Sequence, residues 1–418
     1  MSELIATWSI AGFATAGVII RPARLPEAIW AVAGAAALVG FGLISPSLAL
    51  TGVAKGYDVY LFLAGMMLLA EVARREGLFD WLARLATAFA DGSPTRLFVL
   101  IYGVGVLVTA LLSNDATAVV LTPAVLAAAA AARVADPMPY ALICAFIANA
   151  ASFVLPISNP ANLVVFGGGD MPALGEWLAR FAAPSLAAIA VTFVALFLTQ
   201  RAALRVDSIA RGVKAGRLSG GGRLAAAGVI ATAALLAGAS ALGRDLGAPT
   251  AAAGIVTALA SCARRREAPW ALARRISWGV LPLVAGLFVL VEALEATGVV
   301  ARLADELHRQ AALAPAASAW GAGALLGLGS NLMNNLPAGL IAAATAHSAQ
   351  ASKQITGAML IGVDLGPNLS ITGSLATILW LHALRREGLD IGAWRFLKIG
   401  AMVMLPALIA ALAALLAF

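Results

Sequence analysis

Two acidic residues, Asp115 and Asp364, lie inside stretches of sequence that are otherwise almost wholly apolar. Each belongs to a polar, helix-breaking motif: Ser-Asn-Asp at 113–115 in the first half of the chain and Asp-Leu-Gly-Pro-Asn at 364–368 in the second. An ionisable group inside a membrane costs at least about 2.5–3.5 kcal/mol, so a functional role is the default interpretation. Burial favours the neutral carboxyl, which could bind and release a proton, whereas the charged form could hold a cation. The alternative for each residue is a protonated structural role.

The composition is that of a polytopic membrane protein. The chain is 61% hydrophobic and 12% charged, with a mean hydropathy of +0.93, whereas soluble domains have about 25% charged residues. The net charge of +7 does not indicate a nucleic-acid partner, because the basic residues cluster in short loops, where they set topology. The spacing of the two cysteines, Cys144 and Cys262, suggests no metal site. The usual phosphate-loop, zinc-protease and hydrolase motifs do not occur, so we predict neither enzymatic activity nor a cofactor.

The first half is predicted to contain a hairpin followed by a broken helix. Residues 97–132 include no Lys or Arg and break at 113–115. Each arm is about 16 residues, or roughly 24 Å of helix, which is short of a hydrocarbon core of about 30 Å. We therefore predict a re-entrant hairpin, with two full spans as the alternative. Residues 140–166 form one crossing that is interrupted at 156–160 by the segment Pro-Ile-Ser-Asn-Pro.

The second half is predicted to follow the same plan. A hairpin over 316–346 breaks at Asn331 and at 334–337, with arms too short for two full spans. A broken helix over 355–382 is interrupted around 364–374. The predicted units are N-terminal scaffold helices at 1–56, a first repeat at 57–200, a basic cytoplasmic linker at 201–223, connecting scaffold helices at 224–275 and a second repeat at 276–418.

The basic loops set the predicted orientation. If the linker is cytoplasmic, the basic segments at 264–275, 74–75 and 385–386 fall on the same side, provided that the first hairpin is re-entrant. This gives an all-α protein with about ten crossings and two re-entrant hairpins, and with both termini outside the cytoplasm. The hairpins enter from opposite sides, so the repeats are inverted.

The two halves carry matching polar interruptions. Asn114-Asp115 matches Asn334-Asn335, and the pair Asn149 and Asn159 matches Asp364 and Ser374, each pair ten residues apart. Inverted repeats with paired broken helices indicate a secondary carrier with a site near the middle of the membrane. Chance similarity between apolar runs is the alternative.

We predict that the four breaks converge, because breaking a helix frees backbone groups that can replace the water around a solute. Asn residues could instead hold helices together. The proton-coupling candidates are Asp115 and Asp364. The candidate solute ligands are Ser113, Asn114, Asn149, Ser152, Ser158, Asn159, Asn162, Asn331, Asn334, Asn335, Asn368, Ser374 and Thr377. Because no Lys or Arg accompanies the two acids, the pattern argues against an anionic substrate such as citrate or phosphate.

These segments resemble the bacterial arsenite efflux permease family, the arsenical pump membrane proteins, within the larger ion transporter superfamily. The resemblance rests on 113–123, on 146–162, on Ser-Asn-Leu-Met-Asn-Asn-Leu-Pro at 330–337 and most of all on 361–382. It extends from about Tyr57 to the chain end. One departure is the segment Ser-Asn-Pro-Ala-Asn at 158–162, where the family has a less proline-rich sequence.

The resemblance implies an inverted-repeat ion transporter fold in the bacterial cytoplasmic (inner) membrane. It implies export of trivalent arsenite and antimonite against a proton gradient, in some members with a separate soluble ATPase as partner. Arsenite is a neutral trihydroxide that amides, hydroxyls and free carbonyls can bind without a charged clamp. The alternatives are a sodium-coupled or sodium–proton carrier of the same superfamily and, from another class, a channel or an inert membrane scaffold.

Overall fold

A computed structural model of the chain describes residues 2–167, 171–207 and 209–417. These residues form helices and connecting turns, and no β-strand occurs among them. Residues 168–170 of the predicted first repeat, Ser208 of the predicted linker, and the chain ends Met1 and Phe418 lie outside the described residues.

The described chain forms twenty α-helices, named α1 to α20 in order. They span Ser2–Ile20, Glu27–Gly40, Pro46–Lys55, Tyr57–Arg75, Leu78–Ala90, Pro94–Leu111, Thr122–Ala131, Met138–Ala150, Pro160–Val165, Leu174–Val206, Gly220–Ala241, Gly247–Arg265, Pro269–Ala273, Val280–Ala296, Val299–Leu313, Pro315–Met333, Asn335–Ser348, Lys353–Leu365, Leu375–Arg386 and Ala393–Ala417. A π-helical turn, Ala116–Leu121, leads into α7, and 3-10 turns occupy Pro22–Arg24, Pro156–Ser158 and Gly366–Leu369. The predicted all-α fold is confirmed.

Five described helices, α1, α6, α10, α11 and α20, are long and apolar enough to cross a membrane singly. Two bent pairs, α3 with α4 at 47° and α14 with α15 at 72°, raise the number to seven if each pair is one span. The predicted total of about ten crossings also counts broken helices, which are individually too short for this criterion.

The elements from α4 to α10 recur in the same order from α14 to α20. In both series a long helix and an amphipathic helix precede a hairpin, and a helix, a 3-10 turn and a second short helix then form the broken helix. Both series end on a long apolar helix, α10 or α20. The bounds of the predicted repeats and domains stay a prediction.

The basic loops gather on one face of the molecule. The Ser261 hydroxyl donates to a Glu76 carboxylate oxygen at 2.6 Å, and the Ala210 N–H donates to the Ala132 carbonyl at 2.8 Å. The Ser219 hydroxyl also reaches the Glu76 carbonyl at 3.4 Å. We call the surface formed by 74–77, 91–96, 132–136, 207, 209–223 and 261–267 the basic face. Charge clustering of this kind is typical of the cytoplasmic side of a membrane protein.

A large open cavity, the vestibule, lies at the opposite end of α4. Its volume is about 860 Å³. Its wall includes Lys55 at the end of α3, Asp58 at the start of α4, Glu176 on α10, His347 near the end of α17 and Lys353 at the start of α18. Hairpin 1, which comprises α6, the π-helical turn and α7, begins and ends at the basic face. Hairpin 2, which comprises α16 and α17, ends at the vestibule. The second arms of the two hairpins therefore end at opposite faces, as inverted repeats require.

The breaks differ in detail from the sequence prediction. The prediction of a break at Asn331 was wrong, because α16 continues to Met333 and is 19 residues long. The Asn331 amide donates to the Gly327 carbonyl of its own helix at 2.8 Å, which keeps the turn helical. Only Asn334, with φ of 76°, separates α16 from α17. In the first broken helix, α8 already ends at Ala150, ahead of both prolines.

Candidate functional site

The polar breaks of both series meet at one small cavity. Its volume is about 20 Å³, which is room for about one water molecule. The polar part of its wall consists of Asn114, Asp115, Asn159 and Asn335. The apolar part consists of Leu63, Pro160, Val280, Leu336, Leu375 and Ala376. We call this space the inner cavity. The tips of both hairpins line the inner cavity. Because the second arms of the two hairpins end at opposite faces, each tip lies partway across the molecule.

Helix caps fix the four backbone segments that reach the inner cavity. Ser113 Oγ accepts from the Ala116 N–H at 3.2 Å, and Asn334 Oδ1 accepts from the Leu336 N–H at 3.5 Å. In the broken helices, Asn159 caps α9 and Ser374 caps α19. A side-chain acceptor at each position satisfies a backbone donor that a helix start would otherwise leave free.

The caps correct the predicted match between the hairpins by one residue. Ser113 and Asn334 are the equivalent caps, so Asn114 corresponds to Asn335, and Asp115 corresponds to Leu336. Both members of each pair line the inner cavity. The acid at the tip of hairpin 1 therefore has an apolar counterpart in hairpin 2.

Asp364 is fully buried beside the inner cavity and is held by the first broken helix. Asn159 Nδ2 donates to Asp364 Oδ1 at 2.8 Å. Ser152 Oγ lies 2.7 Å from Asp364 Oδ2 and also 2.7 Å from the Asn149 carbonyl oxygen. Because a serine hydroxyl carries one hydrogen, it can donate to only one of these two oxygens with good geometry. A charged Asp364 accepts that hydrogen, whereas a neutral Asp364 donates to Ser152, which then donates to Asn149.

Asn149 occupies the equivalent place in the first broken helix and reaches into the second. Its Nδ2 donates to Asn368 Oδ1 at 3.0 Å and lies 3.5 Å from Thr377 Oγ1. Asn368 Nδ2 in turn donates to the Phe146 carbonyl at 2.9 Å. Each series thus sends one polar side chain from its first half-helix into the break of the other.

The structure brings most of the predicted site residues into this network. Asn162 donates to the carbonyls of Ser152, Leu155 and Pro156 and so closes the link between α8 and α9. Ser158 donates to the Ala110 carbonyl at 3.0 Å and ties that link to hairpin 1. The described residues include two fully buried amide oxygens, Asn149 Oδ1 and Asn162 Oδ1, that have no hydrogen-bond partner.

Asn331 lies apart from the inner cavity. Its amide donates to the Gly366 carbonyl at 3.0 Å, and its Oδ1 accepts from the Ser370 hydroxyl at 2.7 Å. Thr372 Oγ1 donates to its backbone carbonyl at 3.2 Å. Asn331 thus braces the unwound link between α18 and α19. The assignment of the other residues to solute binding stays a prediction.

Sequence reasoning missed the apolar half of the inner cavity. Leu63 on α4 and Val280 on α14 complete its wall, and no polar signal marks either position. It also missed Thr109 and Thr117, whose buried hydroxyl oxygens lie 2.8 Å apart and join the two arms of hairpin 1. Two threonines eight residues apart, on either side of a predicted tip, could have suggested this contact.

Comparison with known proteins agrees with this architecture. The family model described as CitMHS, citrate transporter, matches residues 15–363. An arsenical pump membrane protein of Escherichia coli is 30% identical over 358 residues, which are 81% of each chain. The arsenical pump membrane protein of Yersinia enterocolitica is 30% identical over 353 residues, with the same coverage.

One solved structure extends the comparison to the fold. The YdaH transporter of Alcanivorax borkumensis matches 88% of this chain and 86% of its own, with a TM-score of 0.58 at 15% identity. At this identity the likeness concerns the fold alone. With the sequence relatives, it confirms the resemblance drawn from the motifs: the chain belongs to the family of arsenical pump membrane proteins, which the citrate transporter family model also matches, and is a polytopic membrane transporter.

Proposed function

We propose that this protein is a secondary active exporter of arsenite and antimonite, driven by proton antiport across the bacterial inner membrane. The observation that carries the proposal is the convergence of both series of breaks on one small cavity, which Asp115 lines and whose wall residue Asn159 donates to Asp364. The names of the relatives support the cargo. A soluble ATPase as partner and periplasmic chain termini belong to the same proposal.

The surroundings of Asp364 suit a proton carrier. Rotating one hydroxyl hydrogen on Ser152 satisfies either protonation state, so taking up or losing a proton does not leave a buried polar atom unpaired. Asn159 donates to the carboxyl in both states. Neither contact comes from a Lys or Arg, whose charge would hold Asp364 permanently ionised.

The charges of the vestibule support a neutral cargo over a polyanion such as citrate. Its wall carries five carboxylates, Asp58, Glu176, Asp245, Glu292 and Glu295, against three basic groups, Lys55, Arg180 and Lys353. A cavity lined mainly by one sign of charge repels ions of that sign. Neutral arsenite would experience little of this field, and the inner cavity offers it amide groups.

A sodium-coupled carrier is the second candidate. The two unpartnered oxygens, Asn149 Oδ1 and Asn162 Oδ1, are hard acceptors of the kind that a sodium ion binds. A sodium ion would need these acceptors to converge with Asp364, whereas proton coupling needs only the carboxyl and Ser152.

Flux in everted membrane vesicles tests the proposal. We expect arsenite and antimonite uptake that requires a pH gradient, dissipates it and is insensitive to sodium. Vesicles with the Asp364→Asn variant are the matched control for proton coupling. Sodium-driven flux would support the second candidate, and downhill flux without exchange would indicate a channel. Citrate uptake without arsenite uptake would overturn the assigned cargo.

A further inference from the structure

Asn331 fastens α16 to the unwound segment 366–374 between α18 and α19, which we call the second link. Its Nδ2 donates to the Gly366 carbonyl at 3.0 Å, and its Oδ1 accepts from the Ser370 hydroxyl at 2.7 Å. Its backbone carbonyl accepts from the Thr372 hydroxyl at 3.2 Å. The Ser370 and Thr372 hydroxyl oxygens lie 3.1 Å apart, so they also join each other. One residue therefore holds the second link at its first residue and again six residues later.

Backbone contact between α16 and α18 fixes the position from which this amide reaches the second link. A Cβ atom on Gly366 would lie 2.2 Å from the Gly327 carbonyl oxygen, and one on Gly362 would lie 2.2 Å from the Gly323 carbonyl oxygen. No side chain fits at these distances, so the two helices touch backbone to backbone, as small residues permit in membrane helices. The second link is therefore held against α16 by close contact as well as by hydrogen bonds.

The first half of the chain has only part of this brace. Ala110 corresponds to Asn331, because each lies three residues before the residue that caps the second arm of its hairpin. The Ser158 hydroxyl donates to the Ala110 carbonyl at 3.0 Å, as the Thr372 hydroxyl donates to the Asn331 carbonyl. Alanine has no polar side chain, so the bonds of the Asn331 amide have no counterpart. The full brace thus occurs in the half whose broken helix carries Asp364.

The brace acts on the carboxyl through the end of α18. Gly366 follows Asp364 by two residues. The carboxyl contacts Asn159 at 2.8 Å and Ser152 at 2.7 Å, and both partners belong to the first broken helix. Hydrogen bonds weaken beyond about 3.2 Å, so a shift of about half an ångström at the end of α18 would weaken both contacts. Anchoring Gly366 to α16 keeps Asp364 within reach of both partners.

Among the described residues, no charged side chain forms an ion pair or a hydrogen bond with Asp364. Asp115 is the acid that lines the inner cavity together with Asn159. The remaining charged or titratable groups at the ends of helices packed against α18 lie in the vestibule wall or are exposed: Glu176, Arg180, His347 and Lys353 in the wall, and Arg201, Arg205, Arg395 and Lys398 at exposed positions. Hydrogen-bond geometry therefore decides how the surroundings respond to the two protonation states of Asp364.

We propose that Asn331 is a positioning residue, which holds the Asp364 carboxyl against Ser152 and Asn159 and does not bind the solute. This role rests on the proposed function in one respect, because it matters for transport only if Asp364 carries the coupled proton. The brace itself follows from the hydrogen bonds and does not depend on which solute is carried.

Carbodiimide labelling tests the positioning role without a solute. An apolar carbodiimide modifies a carboxyl group in its protonated form, and mass spectrometry of the purified protein resolves the peptide that contains Asp364. We expect Asn331→Ala to move the midpoint of the pH profile of labelling by about half a pH unit or more, because bonds that distinguish the charged from the neutral carboxyl are weakened. Leu332→Ala is the matched control and should keep the wild-type midpoint, since Leu332 is 78% exposed on the same helix. An unchanged midpoint in Asn331→Ala would overturn the proposal.

Vesicle flux separates a positioning residue from a solute ligand. We expect Asn331→Ala to change the pH dependence of arsenite export, while the KM for arsenite stays within about twofold of the wild-type value. A solute ligand would instead raise KM by roughly tenfold or more at an unchanged pH profile, and that result would overturn the proposal. A merely structural brace would lower the melting temperature and leave both the pH profile and KM unchanged, which would also overturn it.

The hydroxyl partner provides a second, independent variant. Ser370→Ala removes the donor to Asn331 Oδ1 and should move the labelling midpoint in the same direction, whereas Ser370→Thr keeps a hydroxyl and should retain the wild-type midpoint. When Asn331→Ala and Ser370→Ala are combined, we expect less than the sum of the two single shifts, because residues in one hydrogen-bond network are coupled. Additive shifts would overturn the shared route. If labelling responds as expected and vesicles export no arsenite, the proposed cargo fails and the positioning role stands.

Discussion

The two broken helices have the same construction and different chemistry. Asn149 is the twelfth residue of the 13-residue helix α8, and Asp364 is the twelfth residue of the 13-residue helix α18. Each side chain reaches into the break of the opposite series, where Asn149 meets Asn368, and Asp364 meets Ser152 and Asn159. One contact joins two amides that cannot titrate, and the other contains a carboxyl.

The hairpin tips show the reverse distribution. The first tip carries Asp115, and the equivalent position in the second tip is Leu336. Each series therefore supplies one acid, from a different element. The backbone is nearly symmetric, as a mirrored opening and closing would require, while proton chemistry is restricted to one broken helix and one hairpin.

The largest expected effect follows from replacing Asp364 with asparagine, so that both broken helices carry an amide at this position. In Asp364→Asn, the introduced amide can donate to Ser152 and accept from Asn159, which reproduces the hydrogen bonds of the neutral carboxyl. We expect stability to be retained and pH-driven export to fall by roughly 10²-fold or more, because the proton carrier is lost. Vesicle flux and thermal melting in detergent measure the two properties. An unchanged pH dependence of transport would remove Asp364 from the mechanism.

Removing the second acid should have a smaller effect. The Asp115 side chain is only partly buried and faces the inner cavity, and its backbone N–H donates to Asn114 Oδ1 at 2.9 Å. We expect Asp115→Asn to lower the export rate severalfold while leaving a pH-dependent component that Asp364 carries. Complete loss of pH dependence would show that the coupled proton resides on Asp115.

Placing a carboxyl at the equivalent amide position tests why only one broken helix titrates. In Asn149→Asp, a charged carboxylate would face Asn368 Oδ1, and Asn368 cannot turn without losing its bond to the Phe146 carbonyl. We expect a loss of about 1–3 kcal/mol in unfolding free energy at alkaline pH. The loss should shrink at acid pH, where the neutral carboxyl can donate to Asn368. Melting curves at several pH values check this, and a loss of equal size at every pH would contradict it.

The two caps provide the smallest comparison. Ser374→Ala removes the cap of α19 without touching Asp364, so we expect about 0.5–2 kcal/mol of destabilisation and an unchanged pH profile of export. Asn159→Ser keeps a cap on α9 but removes the amide that donates to Asp364. We expect it to change the pH profile at similar stability. Equal pH profiles in the two variants would reduce Asn159 to a structural cap.

Much of this architecture could be predicted because polar residues are so rare in the chain. With one exception, every predicted break occurs in the structure, because clusters of proline, glycine and asparagine weaken a helix by local chemistry. The exception is Asn331, whose amide bonds both its own helix and the Gly366 carbonyl. A contact with a residue 35 positions away leaves no local signal, so the sequence alone predicted a break there.

The sequence by itself determined that the chain is an all-helical membrane protein with two acids and paired breaks, because hydropathy and helix-breaking residues act locally. Only the tertiary structure decided which groups meet: that Asp364 bonds Ser152 and Asn159, that Asp115 and Leu336 line the same cavity, and that apolar residues of α4 and α14 complete its wall. Apolar side chains look alike along a membrane sequence, and packing alone separates those that face lipid from those that face a site.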